Sequence, residues 1–168
     1  MSIEHTLANE AVVLAPGGGT RLEFLNHLAT VKVAADGARS MSVVEFFAPR
    51  GFGPPQHRHN EEDELFIVLD GELRFFLGDD TFGGEAGSMA YLPRAIRHTF
   101  QVLSPTARLV NVTSSNTVVP RFDEMVAALG EPTDRTDMPE PAPIDPGRVA
   151  EVCAAHGIDI VGPPPPAL

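Results

Sequence analysis

Residues 51–64 read GFGPPQHRHNEEDE, and this stretch decides what can be predicted about the fold. His57 and His59 are separated by one residue, and Glu64 closes the acidic run that follows them. In an extended strand alternate side chains share a face, so both imidazoles can point into one cavity. Neutral imidazoles and carboxylates are good ligands for divalent transition metals. The stretch therefore predicts a metal site carried by β-strands.

Short apolar or alternating runs recur on both sides of this stretch, from about residue 20 to residue 115. Turn-forming residues separate the runs, and this regular spacing is typical of an antiparallel sandwich or barrel. Asp70-Gly71 is predicted to close a tight hairpin, because Asp-Gly readily adopts the positive φ angles of a two-residue turn. Further predicted turns include 78–80 and 83–84. The predicted strands are residues 21–25, 30–34, 41–47, 65–69, 73–77, 88–92, 97–103 and 108–113.

The last third of the chain changes to a helical pattern. Residues 120–129 place apolar side chains at the three-and-four spacing of an amphipathic helix, and Gly130 follows as a C-cap. A second helix is predicted to begin with Asp145 as N-cap and Pro146 at its first position, and to end before Gly157.

Proline-rich segments surround the second helix. Residues 131–144 are predicted to form an extended linker strapped over the domain, and residues 163–166 a stiff, frayed end. The predicted organisation is an N-terminal arm at residues 1–20, a β-barrel core at 21–116, and a C-terminal helical extension with a Pro-rich tail at 117–168, all in one domain.

Composition excludes several classes of protein. A chain of 168 residues with 43% hydrophobic residues is enough for a single core. Twelve basic against 23 acidic residues give a net charge of −11, which would repel nucleic acid and anionic membrane surfaces. Cys153 is the sole cysteine, so no internal disulfide can form. Residues 1–15 lack the basic start and apolar run of a signal peptide, and the chain is predicted to be cytoplasmic, with no membrane or nucleic-acid partner.

The choice of acidic ligand rests on spacing. Six residues separate Glu64 from Gly71, but Asp63, Glu62 and Glu61 remain alternatives, and an adjacent acid would face the other side of the strand. The whole run can also be interpreted as a solvated polar loop. The remaining histidines are predicted to be surface or partly packed residues; they are His5, His27 and His156.

The spacing around the two histidines forms a first motif. Gly51 and five further residues precede His57-x-His59, four residues separate this pair from Glu64, and six more lead to Gly71. A second motif follows after fifteen residues.

The second motif contains Gly87, Pro93 and His98 at fixed spacing, with Ala95 in place of its usual glycine and Val102 in place of its usual asparagine. Together the two motifs resemble those of the cupin superfamily. The likeness is greatest to small single-domain quercetinase-like cupins, and it extends over residues 26–163.

The resemblance implies a mainly β fold: a single jelly-roll-like antiparallel β-barrel of six to eight strands, with two short C-terminal helices. It further implies one divalent transition metal ion (Fe, Mn, Ni, Co, Cu or Zn) held by His57, His59, Glu64 and His98. By alternation Phe66 shares a strand face with Glu64, and Phe100 and Val102 share one with His98. These apolar side chains are the predicted substrate pocket: Phe66, Phe100 and Val102.

The quercetinase likeness implies a metal-dependent dioxygenase, an oxidoreductase that takes dioxygen and a small, potentially aromatic substrate such as a flavonol or another enol or phenol. In that hypothesis the substrate binds the metal and Glu64 is the catalytic base. The alternatives are an oxygen-independent isomerase, cyclase or decarboxylase, a non-catalytic metal- or ligand-binding cupin, and a metal-free sugar epimerase. A homodimer is expected, with residues 21–25 and 30–34 as candidate pairing strands.

Overall fold

The computed structural model describes residues 11–36 and 39–168 and consists of two antiparallel β-sheets with two short helices. The strands are β1 (Thr20–Phe24), β2 (His27–Val33), β3 (Met41–Pro49), β4 (His57–His59), β5 (Asp63–Asp70), β6 (Glu72–Leu77), β7 (Asp80–Glu85), β8 (Met89–Leu92), β9 (His98–Val102), β10 (Thr106–Ser114), β11 (Glu131–Pro132) and β12 (Ile158–Ile160). The helices are α1 (Phe122–Leu129) and α2 (Pro146–Ala155).

The strands divide between a large and a small sheet. In the large sheet the order is β11-β1-β2-β3-β10-β5-β8, and in the small sheet it is β12-β4-β9-β6-β7. All neighbouring strands are antiparallel. The predicted mainly β, jelly-roll-like class is confirmed, although backbone hydrogen bonding runs in two separate sheets rather than around a closed barrel.

One hydrophobic core lies between the sheets, and the alternating sequence explains why. In β3 every second residue from Ser42 to Ala48 is buried, as expected for a strand with one face on the core. Phe66 of the large sheet lies 6.1 Å from Phe75 and 5.4 Å from Phe100 of the small sheet, between ring centroids. These contacts between rings join the two layers.

The predicted hairpin at Asp70-Gly71 is wrong. Gly71 does adopt a positive φ of 89°, but β5 pairs with β10 and β8 while β6 pairs with β7 and β9. The turn therefore carries the chain from the large sheet to the small one. A Cβ atom at Gly71 would lie 2.5 Å from the carbonyl oxygen of Thr106, so glycine is required at this corner.

A two-residue hairpin is found one strand later. Gly78 and Asp79 join β6 to β7, and Gly78 has a φ of 56°. The predicted turn at Gly83-Gly84 is wrong, because both residues lie inside β7. A Cβ atom at Gly84 would lie 2.7 Å from the ring of Phe75, so this glycine makes room for a core aromatic.

The C-terminal predictions are largely confirmed. Asp145 accepts hydrogen bonds from the backbone of Gly147 and Arg148 and caps α2. The prediction of a frayed proline tail is wrong, because the Pro163 carbonyl accepts the backbone N–H of Gln56 at 3.1 Å, and Gln101 donates to the Pro166 carbonyl at 2.6 Å. The tail is thereby fixed against the small sheet.

The predicted pairing strands have neighbours within the chain. β2 lies between β1 and β3, and β1 also pairs with β11 at Leu22 and Glu23. The homodimer remains a prediction, but these strands offer little free edge for it. Half of the predicted N-terminal arm, residues 1–10, lies outside the described residues. Within the described ranges, neither helix has the length and apolarity needed to cross a bilayer.

Candidate metal centre

The small sheet supplies the three histidines. His57 and His59 are buried on β4 with Arg58 exposed between them, as the alternation predicts. His57 stands opposite His98 of β9 in the strand register, and the centroids of their rings lie 4.4 Å apart. The three imidazoles therefore meet because two adjacent antiparallel strands present the same face.

Hydrogen bonds fix the orientation of each imidazole ring. The Nδ1 atom of His57 donates to the Pro55 carbonyl at 2.8 Å, and that of His98 donates to the Ile96 carbonyl at 2.9 Å. The Nδ1 atom of His59 lies 3.3 Å from a carboxylate oxygen of Glu62. With Nδ1 engaged, the Nε2 lone pair of each ring is left for a cation.

Glu64 reaches the histidines from β5 of the large sheet. Its Oε2 atom lies 2.9 Å from His98 Nε2, and its Oε1 atom lies 3.6 Å from His59 Nε2. The side-chain amide of Asn111 on β10 donates a hydrogen bond to Oε1 and holds the carboxylate in place. One ligand atom from each of the four predicted residues lies within 4.8 Å of the others.

These atoms suit a metal ion. Among the described residues, Nε2 of His59, Nε2 of His98 and Oε2 of Glu64 are buried without a hydrogen-bond partner. Buried polar atoms left unpaired cost free energy, and a shared cation satisfies several of them at once. Three imidazole nitrogens and one carboxylate oxygen are the donors that divalent transition metals prefer. The residues present could therefore hold one such ion.

The electrostatics agree with a cation site. Burial lowers the pKa of His57 to about 3, and the adjacent imidazoles lower it as well. For Glu64 burial acts to raise the pKa, but the imidazoles of His59 and His98 outweigh it and lower the pKa to about 2. Burial acts to lower the pKa of His59, but the carboxylates of Glu64 and Glu62 raise it.

The other acids in the run have different positions. Glu61 is exposed, and Asp63 forms an ion pair with Arg94 at 2.8 Å. Glu62 is buried, but it faces Nδ1 of His59 rather than the common ligand point. Geometry thus favours Glu64 among the four candidates.

The second motif supports the site through its backbone. Ala95, where the motif has glycine, has a φ of 66°, which is the left-handed conformation that glycine adopts most easily. Its N–H donates to the carbonyl of His59 at 2.7 Å, and the N–H of Arg94 donates to Asp63 at 2.9 Å. The loop before β9 therefore clamps the two strands that carry His59 and Glu64.

An apolar cavity adjoins the four residues. It has a volume of about 70 Å³, and His57 and Glu64 form part of its wall. Phe66 and Phe100 of the predicted pocket line it, whereas Val102 is buried in the core between the sheets. The C-terminal elements supply much of the remaining wall, through Phe122, Met125 and Leu129 of α1, Val149 and Cys153 of α2, and Ile158 and Ile160 of β12.

The roles of three polar residues around the site were not predicted from the sequence. Glu62 cannot be told from its acidic neighbours by any local pattern. Asn111 could have been found, since it occupies an inward-facing position in an alternating apolar run. His27 was predicted to be at the surface or partly packed, and this is wrong: it is 1% exposed and lines the cavity.

Comparison with known proteins agrees with this geometry. Residues 43–113 match the Cupin domain family, and this segment contains Gly51 through His98, where both motifs lie. Residues 43–113 are therefore similar to the Cupin domain, and the two-sheet architecture described above is a cupin fold. The cupin motifs and the four clustered side chains therefore coincide.

A curated relative of this chain carries the name of an enzyme. Quercetin 2,3-dioxygenase of Bacillus subtilis is 27% identical over 168 residues. The alignment covers 97% of this chain and 49% of that relative, so the chain spans about half the length of the relative.

Solved structures confirm the fold. An uncharacterized conserved protein with a double-stranded β-helix domain from Klebsiella pneumoniae has a TM-score of 0.53 at 18% identity, covering 66% of this chain and 97% of its own. The cupin domain of Schizosaccharomyces pombe Cnp3 has a TM-score of 0.52 at 14% identity, covering 56% and 65%. At these identities the likeness concerns the fold.

Proposed function

We propose that this cupin is a metal-dependent dioxygenase of a small enol or phenol. The observation that carries the proposal is the cluster of three imidazoles and one carboxylate, of which His57 and Glu64 line an apolar cavity. The similarity to quercetin 2,3-dioxygenase supports the same chemistry. In this proposal His57, His59, Glu64 and His98 hold the ion, and Glu64 is also the catalytic base.

A divalent metal bound there would supply Lewis acidity and, for a redox-active metal, a path for electrons between substrate and dioxygen. The chain's own contribution is positioning and proton transfer. Glu64 stays ionised at neutral pH because its pKa is about 2, and Asn111 orients it, so its Oε2 atom can accept a hydrogen bond or proton from a ligand hydroxyl.

The cavity favours a compact, apolar substrate. One buried water needs about 10–15 Å³, so a volume of about 70 Å³ has room for roughly five water molecules. Phe66, Phe100 and Phe122 form much of its wall and would exclude water from a reactive anion. A single-ring enol or phenol therefore fits better than a three-ring flavonol, although both belong in a test.

Metal analysis followed by an oxygen assay tests the proposal. Protein purified without chelator is analysed for Fe, Mn, Ni, Co, Cu and Zn, reloaded with each, and mixed anaerobically with single-ring enols, phenols and a flavonol. On admission of ¹⁸O-labelled dioxygen we expect oxygen consumption and label in the product. Glu64→Gln and His98→Ala should abolish both signals, whereas His156→Ala, outside the site, should keep them.

Other outcomes point to other functions. Turnover that is unchanged without oxygen would indicate a metal-assisted isomerase, cyclase or decarboxylase, with Glu64 as proton shuttle. Tight ligand binding that survives Glu64→Gln without any product would indicate a binding module. Protein that binds metal but consumes no oxygen with any of these substrates would contradict the dioxygenase. A cytoplasmic location and a homodimer remain further predictions.

A further inference from the structure

His27 is a buried histidine that the proposed chemistry does not use. It begins β2, is 1% exposed and forms part of the cavity wall. Phe52, Phe24 and Phe46 surround its ring at centroid distances of 4.1, 5.2 and 5.3 Å.

Only one nitrogen of this imidazole has a protein partner. Nδ1 lies 3.2 Å from the carbonyl oxygen of Leu25, to which it donates. Within the part of the chain that the structure describes, no hydrogen bond reaches Nε2. Because burial lowers the pKa of His27 to about 4, the ring is neutral at physiological pH. Its Nε2 atom is therefore a lone-pair acceptor, and most of the other residues that line the cavity are apolar.

His27 lies apart from the four-residue metal cluster. Two aromatic rings separate it from His59: Phe46 packs against His27, and Phe122 packs between Phe46 and His59, at 6.2 Å and 5.8 Å. The residues that line the cavity thus include His57 and Glu64 of the metal cluster and His27, which lies outside that cluster.

We propose that His27 is a specificity-determining residue of the cavity, whose Nε2 accepts a hydrogen bond from a hydroxyl or N–H group at the far end of the bound molecule. The substrate class is then an aromatic or apolar enol or phenol with a second donor remote from the acidic oxygen. This inference rests on the proposed function only in taking the cavity as the ligand site. A ligand with a donor at that position gains a hydrogen bond that a ligand without the donor cannot form.

Binding of matched probe pairs tests the inference. Zinc-loaded protein is titrated under nitrogen with tropolone, a compact enolone, and with tropolone carrying a further hydroxyl opposite its two oxygens. A second pair, a flavonol with and without a hydroxyl on its outer ring, spans a longer distance. We expect wild-type protein to prefer the hydroxylated member of at least one pair by about three- to tenfold.

Variants separate recognition from packing. His27→Phe keeps a flat ring but removes the acceptor, so the preference should vanish while zinc content and affinity for the plain member change by less than about twofold. His27→Gln restores an acceptor and should recover part of the preference. Phe52→Leu, the matched control, should weaken both members equally.

A nuclear magnetic resonance measurement covers the case in which His27→Phe does not fold. In wild-type protein the ¹⁵N resonance of His27 Nε2 should move on addition of the hydroxylated member and stay in place with the plain one. The proposal is overturned if the preference persists in His27→Phe, if both members lose affinity equally, if the resonance moves equally with both, or if neither pair binds wild-type protein. If the protein shows no reaction with oxygen but still prefers the hydroxylated probes, the proposed dioxygenase function is contradicted and the inference about His27 is not.

Discussion

Glu62 connects the metal cluster to the first C-terminal helix. One of its oxygens lies 3.3 Å from His59 Nδ1, and the other accepts the backbone N–H of Arg121, the residue before α1. Glu62 is 5% exposed, so this carboxylate is an internal link rather than a surface contact. The orientation of one candidate ligand is thereby coupled to the helix that lines the cavity.

Replacing Glu62 should weaken metal binding without unfolding the protein. In Glu62→Gln a single amide oxygen cannot serve both the imidazole and the Arg121 N–H, so His59 loses its orientation. Metal affinity should fall by about 10- to 100-fold, measured by competition with a chromophoric chelator. Glu61→Gln changes an exposed neighbour and should match wild type. Equal affinities for Glu62→Gln and wild type would show that the link has no positioning role.

Glycine in place of the left-handed residue of the second motif should make the protein more stable. Ala95 has a φ of 66°, and the left-handed region costs a residue with a Cβ atom about 1–2 kcal/mol. Glycine removes this cost but also adds conformational entropy to the unfolded chain, so Ala95→Gly should stabilise the protein by about 1 kcal/mol in total. Urea unfolding measures this. As a control, Ala127→Gly on the exposed face of α1 should destabilise the protein by about 1 kcal/mol. A loss of stability in Ala95→Gly would show that the backbone at Ala95 is not strained.

Stability in acid should depend on Asp63. Hydrogen bonds from Arg94 lower the pKa of Asp63 to about 2, below its value in an unfolded chain. The ionised form is therefore favoured by folding, so its contribution is complete above about pH 4 and is lost as the pH falls through about 2.

The corresponding variant is Asp63→Asn. At pH 7 it should be less stable than wild type by about 1 kcal/mol, allowing for solvent screening of this partly exposed pair. The difference should shrink towards zero near pH 2 in urea unfolding at stepped pH. A difference in stability between Asp63→Asn and wild type that is constant with pH would count against the ion pair.

Cys153 should report on occupancy of the cavity. It is 5% exposed, lines the cavity, and burial raises the pKa of its thiol to about 11. Because the thiolate is the reactive form, iodoacetamide should modify the folded protein far more slowly than the urea-unfolded chain.

Bound ligand should slow this modification further, as followed by mass spectrometry. As the sole cysteine, Cys153 gives an unambiguous signal, and Cys153→Ser gives the blank. Rapid modification of the folded protein, or a rate indifferent to ligand, would place the bound molecule elsewhere.

Much of the fold was predictable because its signals are local. Alternation defined most strands, and the Asp145-Pro146 pair marked the start of α2 where the structure has it. The resemblance of the two motifs to those of cupins named the four residues whose ligand atoms meet within 4.8 Å. Prediction failed where contacts distant in sequence decide the local structure. Asp70-Gly71 connects two different sheets, and Gly84 lies inside a strand because a side chain there would collide with the ring of Phe75.

The sequence by itself determined the β architecture through periodicity and the net negative charge through composition, and the resemblance of its two motifs to those of cupins named the four candidate ligands. Only the tertiary structure decided which neighbours serve those ligands. Glu62, Asn111 and His27 acquire their positions from contacts between strands or helices distant in sequence. Burial and hydrogen-bond geometry depend on those contacts, and a single sequence does not encode them in any local pattern.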